Sequence, residues 1–246
     1  MSAVVITPTV GTKFLEQAME SVRCQDADHW IVVDGTEHAM KVGEMIKRQL
    51  HRQKLIILPE NTGRPSRWFF DKPLPGFFNG HRMYAAMPYL VSQDYTLFLD
   101  EDNWFEPNHI ETMIKTIEDK NLDWCYSLRK VMDPLGGFVC NDDCDSLGEV
   151  PTYHDHMLRF VDMNCYCFKT EVLVKCSHVL YDTHVADRML YAYASQKYIK
   201  FATTGEYTVN YRLSHPGQRE FFLVGNHLME KGYKSFPWRK QLTTKE

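Results

Sequence analysis

The 246-residue sequence has no excess of basic residues and no long apolar run. It holds 28 Lys and Arg against 32 Asp and Glu, a formal net charge of −4, so it lacks the basic surplus that nucleic-acid binders normally carry. No apolar stretch approaches the roughly 20 residues needed to cross a bilayer. The first residues also lack the basic and apolar regions of a signal peptide. We therefore expect a cytoplasmic protein with no transmembrane segment and no nucleic-acid partner.

Paired cysteine motifs and internal repeats are also absent. The seven cysteines are an odd number, and neither Cys140/Cys144 nor Cys165/Cys167 has the C-x-x-C spacing of structural zinc sites. We interpret them as reduced thiols of a cytosolic protein. Apolar residues make up 44% of the chain and charged residues 24%, an ordinary globular composition that can bury a sizeable core.

The first half of the chain alternates between short apolar segments and helical patterns. Four apolar segments predict strands at 4–6, 30–33, 55–58 and 95–99. Apolar residues at helical spacing predict helices at 14–22, 42–50, 83–90 and 107–117. Strands that are apolar throughout, with amphipathic helices between them, are typical of a parallel sheet covered on both faces. The fold class is therefore α/β, and ligands of such folds bind beyond the carboxyl ends of the strands.

The second half is less regular. Residues 133–149 are rich in Gly, Asp and Asn and predict a long loop, with Asp142, Asp143 and Asp145 as an exposed acidic face. Residues 164–168 and 207–211 predict strands, and helices are predicted at 170–176, 185–193 and 221–229. Segment 67–78, rich in aromatic residues and proline, predicts a loop near the ligand.

Three acidic residues directly follow the fourth predicted strand: Asp100, Glu101 and Asp102. They repel one another and would gain from a shared cation, and their hard oxygen ligands suit Mg²⁺ or Mn²⁺. Such an ion would be held by one or two carboxylates together with substrate phosphates. The alternative is an acidic strand-to-helix turn, in which Asp102 or Asn103 caps the next helix. A D-x-D pattern alone is short and common.

The residues after the first two strands should lie on the same edge as Asp100. Thr7 is expected to end the first strand, with Thr9 just beyond it, and Asp34 ends the second. A carboxylate at 34 can accept the imide N–H of uracil, and a threonine can bond the base or ribose. The alternative for Asp34 is a plain turn residue in an Asp-Gly pair.

The order of these motifs resembles that of a GT-A glycosyltransferase of the family 2 type. The resemblance rests on Val-Ile-Thr-Pro-Thr (5–9), Val-Val-Asp-Gly-Thr (32–36), Glu-Asn-Thr-Gly-Arg (60–64) and Phe-Leu-Asp-Glu-Asp-Asn (98–103), and covers roughly residues 3–215. It implies a Rossmann-like, mostly parallel sheet with helices on both faces. It also implies one GT-A domain over 1–246, with a nucleotide-sugar half (1–103), an acceptor half (104–215) and a C-terminal helical extension (216–246).

In this resemblance the D-x-D motif holds Mn²⁺ or Mg²⁺ against the diphosphate of a nucleotide sugar. Asp102 would be the direct ligand, and Asp100 would bind toward ribose and ion. His215 would be a third ligand or a phosphate contact, although a lone histidine in a turn is more often structural. The implied nucleotide-sugar contacts are Thr7, Pro8, Thr9, Asp34, Gly63, Arg64, Arg82, Asp100 and Glu101. Of the two arginines, Arg82 is the first candidate to pair with the diphosphate.

The resemblance places the catalytic base at Asp187. Ala186 stands where the family has a Glu before that aspartate, so the motif is half present. The alternative for Asp187 is a residue that stabilises the first turn of a helix. On the acceptor side, Trp104 could stack on a sugar ring and His154 could contact the acceptor. Core packing and a plain loop are the respective alternatives.

Together these residues predict an inverting, metal-dependent transfer of a hexose from a UDP-sugar to a hydroxyl of a glycan or other acceptor. A lipid-linked acceptor would have to be met at a membrane surface. One alternative is a nucleotidyltransferase that forms sugar nucleotides, although residues 7–13 contain too few glycines for its phosphate loop. The other is a non-catalytic nucleotide-sugar-binding protein on the same fold, which Ala186 leaves open.

Overall fold

The computed structural model describes residues 1–47, 52–62, 80–150, 152–153, 159–181, 186–215 and 217–232. They form a mixed α/β fold around one sheet. Its strands are β1 (Ala3–Thr9), β2 (Asp28–Val33), β3 (Gln53–Ile57), β4 (Tyr95–Phe98), β5 (Trp104–Phe105), β6 (Trp124–Met132), β7 (Phe138–Asn141), β8 (Tyr166–Lys169) and β9 (Phe201–Arg212). The helices are α1 (Leu15–Arg23), α2 (Ala39–Lys47), α3 (His81–Ala86), α4 (His109–Asp119), α5 (Thr170–Cys176), α6 (Ala186–Lys197) and α7 (Gly217–Gly232). In these described residues no helix is both long and apolar enough to cross a membrane.

The first half of the sheet is parallel, in the order β3-β2-β1-β4. Strand β1 is buried along its whole length, which explains why its first four residues are apolar without alternation. Side chains of β2 reach both faces: Ile31 and Val33 pack with α1 and α2 in one core cluster, and Val32 belongs to a second, larger cluster. The predicted α/β fold, with helices on both faces of the sheet, is confirmed.

The second half of the sheet is built around β6, which the sequence analysis missed. Strand β6 runs antiparallel to β8 and parallel to β9, and it continues the sheet from β4 through β8. Its first residue, Trp124, is fully buried. The Trp124 ring stacks on Phe168 and Phe201, with centroids 5.4 and 4.3 Å away. The sequence pattern does not predict this strand because Ser127, Arg129 and Lys130 interrupt its apolar residues.

The expectation of one long loop over 133–149 is wrong in part. Strand β7 lies within it and pairs with β6, with Asn141 opposite Lys130 and Phe138 opposite Met132. The turn between them is closed by the Asp133 side chain, which accepts the N–H groups of Leu135 (2.8 Å) and Gly137 (2.9 Å). Residues 133–141 are therefore a hairpin, and only the segment after β7 is a loop.

The expectation of an exposed acidic face on this loop is also wrong, because a buried arginine draws the carboxylates inward. Arg129 is only 2% exposed, and Asp142 is fully buried. The Arg129 guanidinium donates to Asp142 (2.7 Å), Asp145 (2.8 Å) and Asp162 (2.5 Å) and stacks on the Tyr211 ring at 4.1 Å. Burial raises the pKa of Asp145 to about 7, although Arg129 opposes that shift. We call Arg129 and these three aspartates the Arg129 cluster.

Replacing Arg129 with Met should destabilise the fold severely, because three carboxylates would lose their shared cation. Removing one partner of a buried ion pair typically costs about 3–5 kcal/mol. Urea denaturation at neutral pH measures the loss. The matched control is Arg52→Met, which removes an exposed arginine from its pairs with Asp26 and Asp28; such surface pairs contribute little. Equal unfolding midpoints for the two variants would contradict the assigned role of Arg129.

Candidate active site

The carboxyl ends of β2, β1 and β4 bring the polar residues after these strands to one edge of the sheet. Thr9, at the end of the middle strand, joins its two neighbours. Its carbonyl accepts the N–H of Asp34 at 2.9 Å, and its hydroxyl donates to Glu101 at 2.6 Å. The structure therefore brings Asp34 and the acidic turn 100–102 together at this edge.

Asp34 is fully buried, and only one of its carboxylate oxygens is satisfied. Oδ1 accepts the N–H and the hydroxyl of Thr62, at 2.7 and 2.9 Å. Oδ2 is buried and accepts no hydrogen bond from the residues that the structure describes. Buried polar atoms in native proteins nearly always have a partner. An oxygen left in this state at the edge of the sheet is suited to accept an N–H from a ligand.

Asp100 is held from both sides by neutral donors. The Tyr84 hydroxyl donates to Oδ1 at 2.7 Å, and the Asn164 amide donates to Oδ2 at 2.8 Å. The backbone N–H of Asp100 in turn donates to the side-chain Oδ1 of Asn164 at 2.5 Å. Burial raises the pKa of Asp100 to about 7, with further contributions from Asp102 and Asp162. Among the residues that the structure describes, no cation is hydrogen-bonded to this carboxylate.

Asp102 has the freer carboxylate of the two. The hydrogen bond that it accepts comes from its own backbone N–H. Burial raises the pKa of Asp102 to about 6; Glu101 and Asp162 add to this effect, while Arg212 opposes it. Burial therefore disfavours the charged form of both carboxylates at this turn.

Arg212, at the end of β9, fixes the acidic turn, and sequence reasoning missed it. Its Nε donates to the Asp102 carbonyl at 3.0 Å, and its backbone N–H donates to Asn103 Oδ1 at 2.8 Å. Its guanidinium lies 4.7 Å from the half-buried Trp104 ring and 4.3 Å from the Phe14 ring. The available signal was a basic residue directly after the predicted strand 207–211. The structure thus couples Trp104 to the acidic turn through Arg212.

Three predicted donor contacts serve the protein itself in this structure. The expectation that Thr7 ends the first strand is wrong, because β1 continues to Thr9; Thr7 is buried, 2.8 Å from His29 Nε2. Pro8 is buried and packs closely against Gly80, since a Cβ atom added at residue 80 would lie 2.8 Å from the Pro8 ring. Glu101 accepts the hydroxyl of Thr9 and the N–H groups of residues 10 and 12. It therefore holds the loop after β1, and ligand contacts of these residues stay predictions.

Two further predicted site residues, Arg82 and His215, lie within the described part of the chain. Arg82, on α3, donates to the carbonyls of Thr62 and Tyr181, each at 3.4 Å, so it lies next to the Thr62 that binds Asp34. His215 is exposed, and its backbone N–H donates to Gln218 at 3.4 Å. Gly63, Arg64 and His154, with the aromatic segment 67–78, lie outside the described residues.

Asp187 lies in the first turn of α6. Its Oδ1 accepts the N–H of Arg188 at 2.8 Å, and the Arg188 guanidinium is 3.5 Å away. Burial raises the pKa of Asp187; Asp162 adds to the shift, while Arg188 and Arg129 oppose it. A carboxylate whose pKa moves toward neutrality is a better general base than an exposed one. The charge of Asp162 adds to the raised pKa values of Asp187, Asp100 and Asp102.

A divalent cation fits the donor set at the acidic turn. The described residues contain no group of three or more His, Cys, Asp or Glu arranged to hold a metal ion. A complete protein cage is not required, because Mg²⁺ commonly binds one or two carboxylates and takes its other ligands from water and substrate phosphates. The carboxylates of Asp102 and Asp100 supply hard oxygen ligands of that kind.

The comparisons with known proteins bear on the fold. No protein-family model and no curated protein matches the sequence. Among solved structures, the chain is similar to residues 1–349 of S. aureus TarS, a GT-A-type glycosyltransferase. The complex with UDP-GlcNAc aligns with a TM-score of 0.63 and 14% identity, over 89% of this chain and 61% of that one. The complex with UDP aligns with a TM-score of 0.62 and 14% identity, over 98% and 68%.

At this level of identity the likeness establishes the fold, and the predicted GT-A fold is confirmed. The chain spans 61% of the length of the TarS fragment bound to UDP-GlcNAc. The edge of the sheet that carries Asp34, Asp100 and Asp102 is therefore the edge at which an α/β fold of this kind binds its ligands.

Replacing Asp102 with Asn should make the metal-free protein more stable at alkaline pH. The folded-state pKa of Asp102 is raised from 3.8 to about 6, so its contribution to stability is fully present below pH 3.8 and is lost as the pH rises through 6. The variant should melt a few °C higher than wild type at about pH 8, and the gain should vanish near pH 4. Thermal denaturation in a chelating buffer measures both values.

The control for this prediction is Asp26→Asn, which changes an aspartate whose side chain is 89% exposed. No burial penalty exists there, so no alkaline gain is expected. A loss of stability for Asp102→Asn at alkaline pH would show that its charge is already compensated.

Proposed function

We propose that the protein is an inverting, metal-dependent glycosyltransferase that moves a hexose from a UDP-sugar to a hydroxyl of a glycan or other acceptor. The observation that carries the proposal is the convergence of Asp34, Asp100 and Asp102 at the carboxyl ends of β2 and β4, the two strands that flank β1 in the parallel sheet. The shared fold with TarS, crystallised with UDP-GlcNAc and with UDP, supports a nucleotide-sugar donor.

The buried carboxylate of Asp34 would recognise the base. Its unpartnered Oδ2 matches the imide N–H of uracil, whereas the N3 of cytosine is itself an acceptor and would be repelled. Thr62 fixes the orientation of the carboxylate by binding Oδ1. Arg82, on the carbonyl of the same Thr62, is the candidate to pair with the diphosphate.

The acidic turn would hold the cation. Asp102 and Asp100 would bind Mn²⁺ or Mg²⁺, which when bound neutralises the charge that develops on the leaving diphosphate. The residues around the turn limit its movement: Arg212 holds the Asp102 carbonyl, while Tyr84 and Asn164 hold the Asp100 carboxylate. A ligand site fixed in this way loses little free energy to reorganisation when the donor binds.

Asp187 would accept the proton of the acceptor hydroxyl. The oxygen then attacks the anomeric carbon on the face opposite the leaving nucleoside diphosphate, and this single displacement inverts the anomeric configuration. The raised pKa of Asp187 suits this role. Trp104, half-buried with the Arg212 guanidinium 4.7 Å from its ring, would offer the exposed part of that ring to an acceptor sugar.

Replacing Asp34 with Asn should weaken UDP binding and alter base preference. The amide can still accept from Thr62, but it then presents an N–H₂ donor where the uracil N–H must lie. Losing a hydrogen bond to a charged group costs about 1.5–3 kcal/mol, roughly 10- to 150-fold in affinity. Calorimetry with UDP and CDP measures the change, and the ratio of UDP to CDP affinity should fall. An unchanged ratio would rule out the contact between Asp34 and the base.

Release of UDP from a panel of UDP-hexoses, with Mn²⁺ and mixed sugar acceptors, tests the proposed activity directly. Wild type should release UDP in an acceptor-dependent manner. Asp187→Asn should bind UDP and melt as wild type does, yet turn over about 10²–10⁴-fold more slowly, because the base is lost. Glu111→Gln, an acidic residue in the first turn of α4, is the matched control for a helix-end effect. Turnover of Asp187→Asn within a few-fold of wild type would exclude Asp187 as the base.

A further inference from the structure

A continuous chain of buried hydrogen bonds links the Arg129 cluster to the acidic turn. Arg129 donates to Oδ2 of Asp162 at 2.5 Å, and Oδ1 of Asp162 accepts from the Asn164 amide at 2.6 Å. The same amide donates to Asp100 at 2.8 Å. Asn164 is fully buried. The chain runs from β6, past the residues that precede β8, to the end of β4, across three neighbouring strands of the sheet.

The Asn164 side chain can take only one orientation in this chain. Its Nδ2 faces carboxylate oxygens of both Asp100 and Asp162, and its Oδ1 accepts the Asp100 backbone N–H at 2.5 Å. A flipped amide would direct its oxygen at two carboxylates and its N–H₂ at an N–H. The backbone N–H of Asn164 also donates to Asp162 at 3.0 Å. The Asn164 side chain therefore holds both the backbone N–H and the carboxylate of Asp100.

This arrangement solves an electrostatic problem. Asp100 and Asp162 would repel each other across the same small space, and each raises the other's free energy as an anion. A single amide carries two N–H donors and no charge, so it can satisfy one oxygen of each carboxylate. Arg129 removes the excess charge at the far end by binding Asp162. The carboxylate that faces the donor site is thus fixed without a cation touching it.

We propose that Asn164 is the positioning residue of Asp100, and that Arg129, acting through Asp162, keeps the Asn164 amide turned toward Asp100. The inference rests on the proposed function, because it assigns how a ligand of the donor-bound cation is oriented. Hydrogen-bond partners behind a metal ligand orient it, and their loss typically weakens metal binding by about 10- to 100-fold. A residue with a merely structural role would change stability and leave cation-dependent binding unaltered.

The test compares Asn164→Ala with Asn226→Ala in the full chain. Asn226, on α7, is a close match: its amide donates to the Asn141 carbonyl at 2.6 Å and accepts the N–H of Asp143 at 3.0 Å. Neither partner belongs to the acidic turn. The measurements are amide hydrogen exchange over residues 99–103, and calorimetric titration of UDP with Mn²⁺ and with chelator.

Asn164→Ala should speed exchange in 99–103, where the Asp100 N–H loses its acceptor. It should weaken UDP binding in Mn²⁺ by about 10- to 100-fold and change UDP binding in chelator by less than about 2-fold. Asn226→Ala should speed exchange only near 141–144 and bind UDP as wild type does. If Asn164→Ala fails to fold, Asp162→Asn replaces it. That substitution puts an N–H₂ group against the Asn164 amide and should produce the same two effects.

The inference would be overturned if a folded variant, Asn164→Ala or Asp162→Asn, kept wild-type exchange over 99–103 and wild-type UDP affinity in Mn²⁺. The proposed function fails in a different way, through wild-type protein that binds no UDP or binds it equally well without Mn²⁺. In that case the hydrogen exchange of the acidic turn still decides whether Asn164 positions Asp100.

Discussion

One buried guanidinium organises the second half of the molecule. Arg129 projects from the middle of β6 and binds carboxylates from the loop after β7 and from the segment before β8. Asp142 then uses its remaining capacity on the N–H groups of residues 144, 145 and 146, which shapes that loop. Burying one cation among three anions requires that each oxygen also finds a donor. These polar contacts therefore determine the conformation of the loop after β7 and of the segment before β8.

The candidate site follows the opposite electrostatic rule. Asp34 has a buried oxygen without a partner among the described residues, and burial raises the pKa values of Asp100 and Asp102. Each of these features lowers the stability of the ligand-free protein. In the Arg129 cluster, by contrast, an internal cation offsets part of the buried charge. A bound ligand can balance charge that the fold leaves unbalanced at the carboxyl ends of its strands. Asp34, Asp100 and Asp102 are therefore the residues expected to bind one.

The first half of the fold and the position of the site could be predicted because parallel strands buried on both faces appear as plain apolar runs. The residues after β1, β2 and β4 could be read directly from the ends of those runs, and Asp34 and Asp100 lie where expected. Strand β6 could not, since Arg129 and Lys130 look like surface residues until their partners are known. The burial of Asp142 depends on that same arginine, and the inward orientation of Thr7 depends on His29, 22 positions along the chain. Long-range polar pairs of this kind leave no periodic signal.

The acidic turn depends on both halves of the chain. Asp100 to Asn103 follow a strand of the first half, yet several of the groups that fix them come from beyond residue 104. Asn164 holds the Asp100 backbone and carboxylate, and Arg212 holds the Asp102 carbonyl and the Asn103 side chain. The larger core cluster likewise includes residues from both halves. A carboxylate that follows β4 but is held by residues of the second half means that the geometry of the acidic turn depends on the fold of that second half. A substitution that destabilises β8 or β9 should therefore first disturb the positions of Asp100 and Asp102.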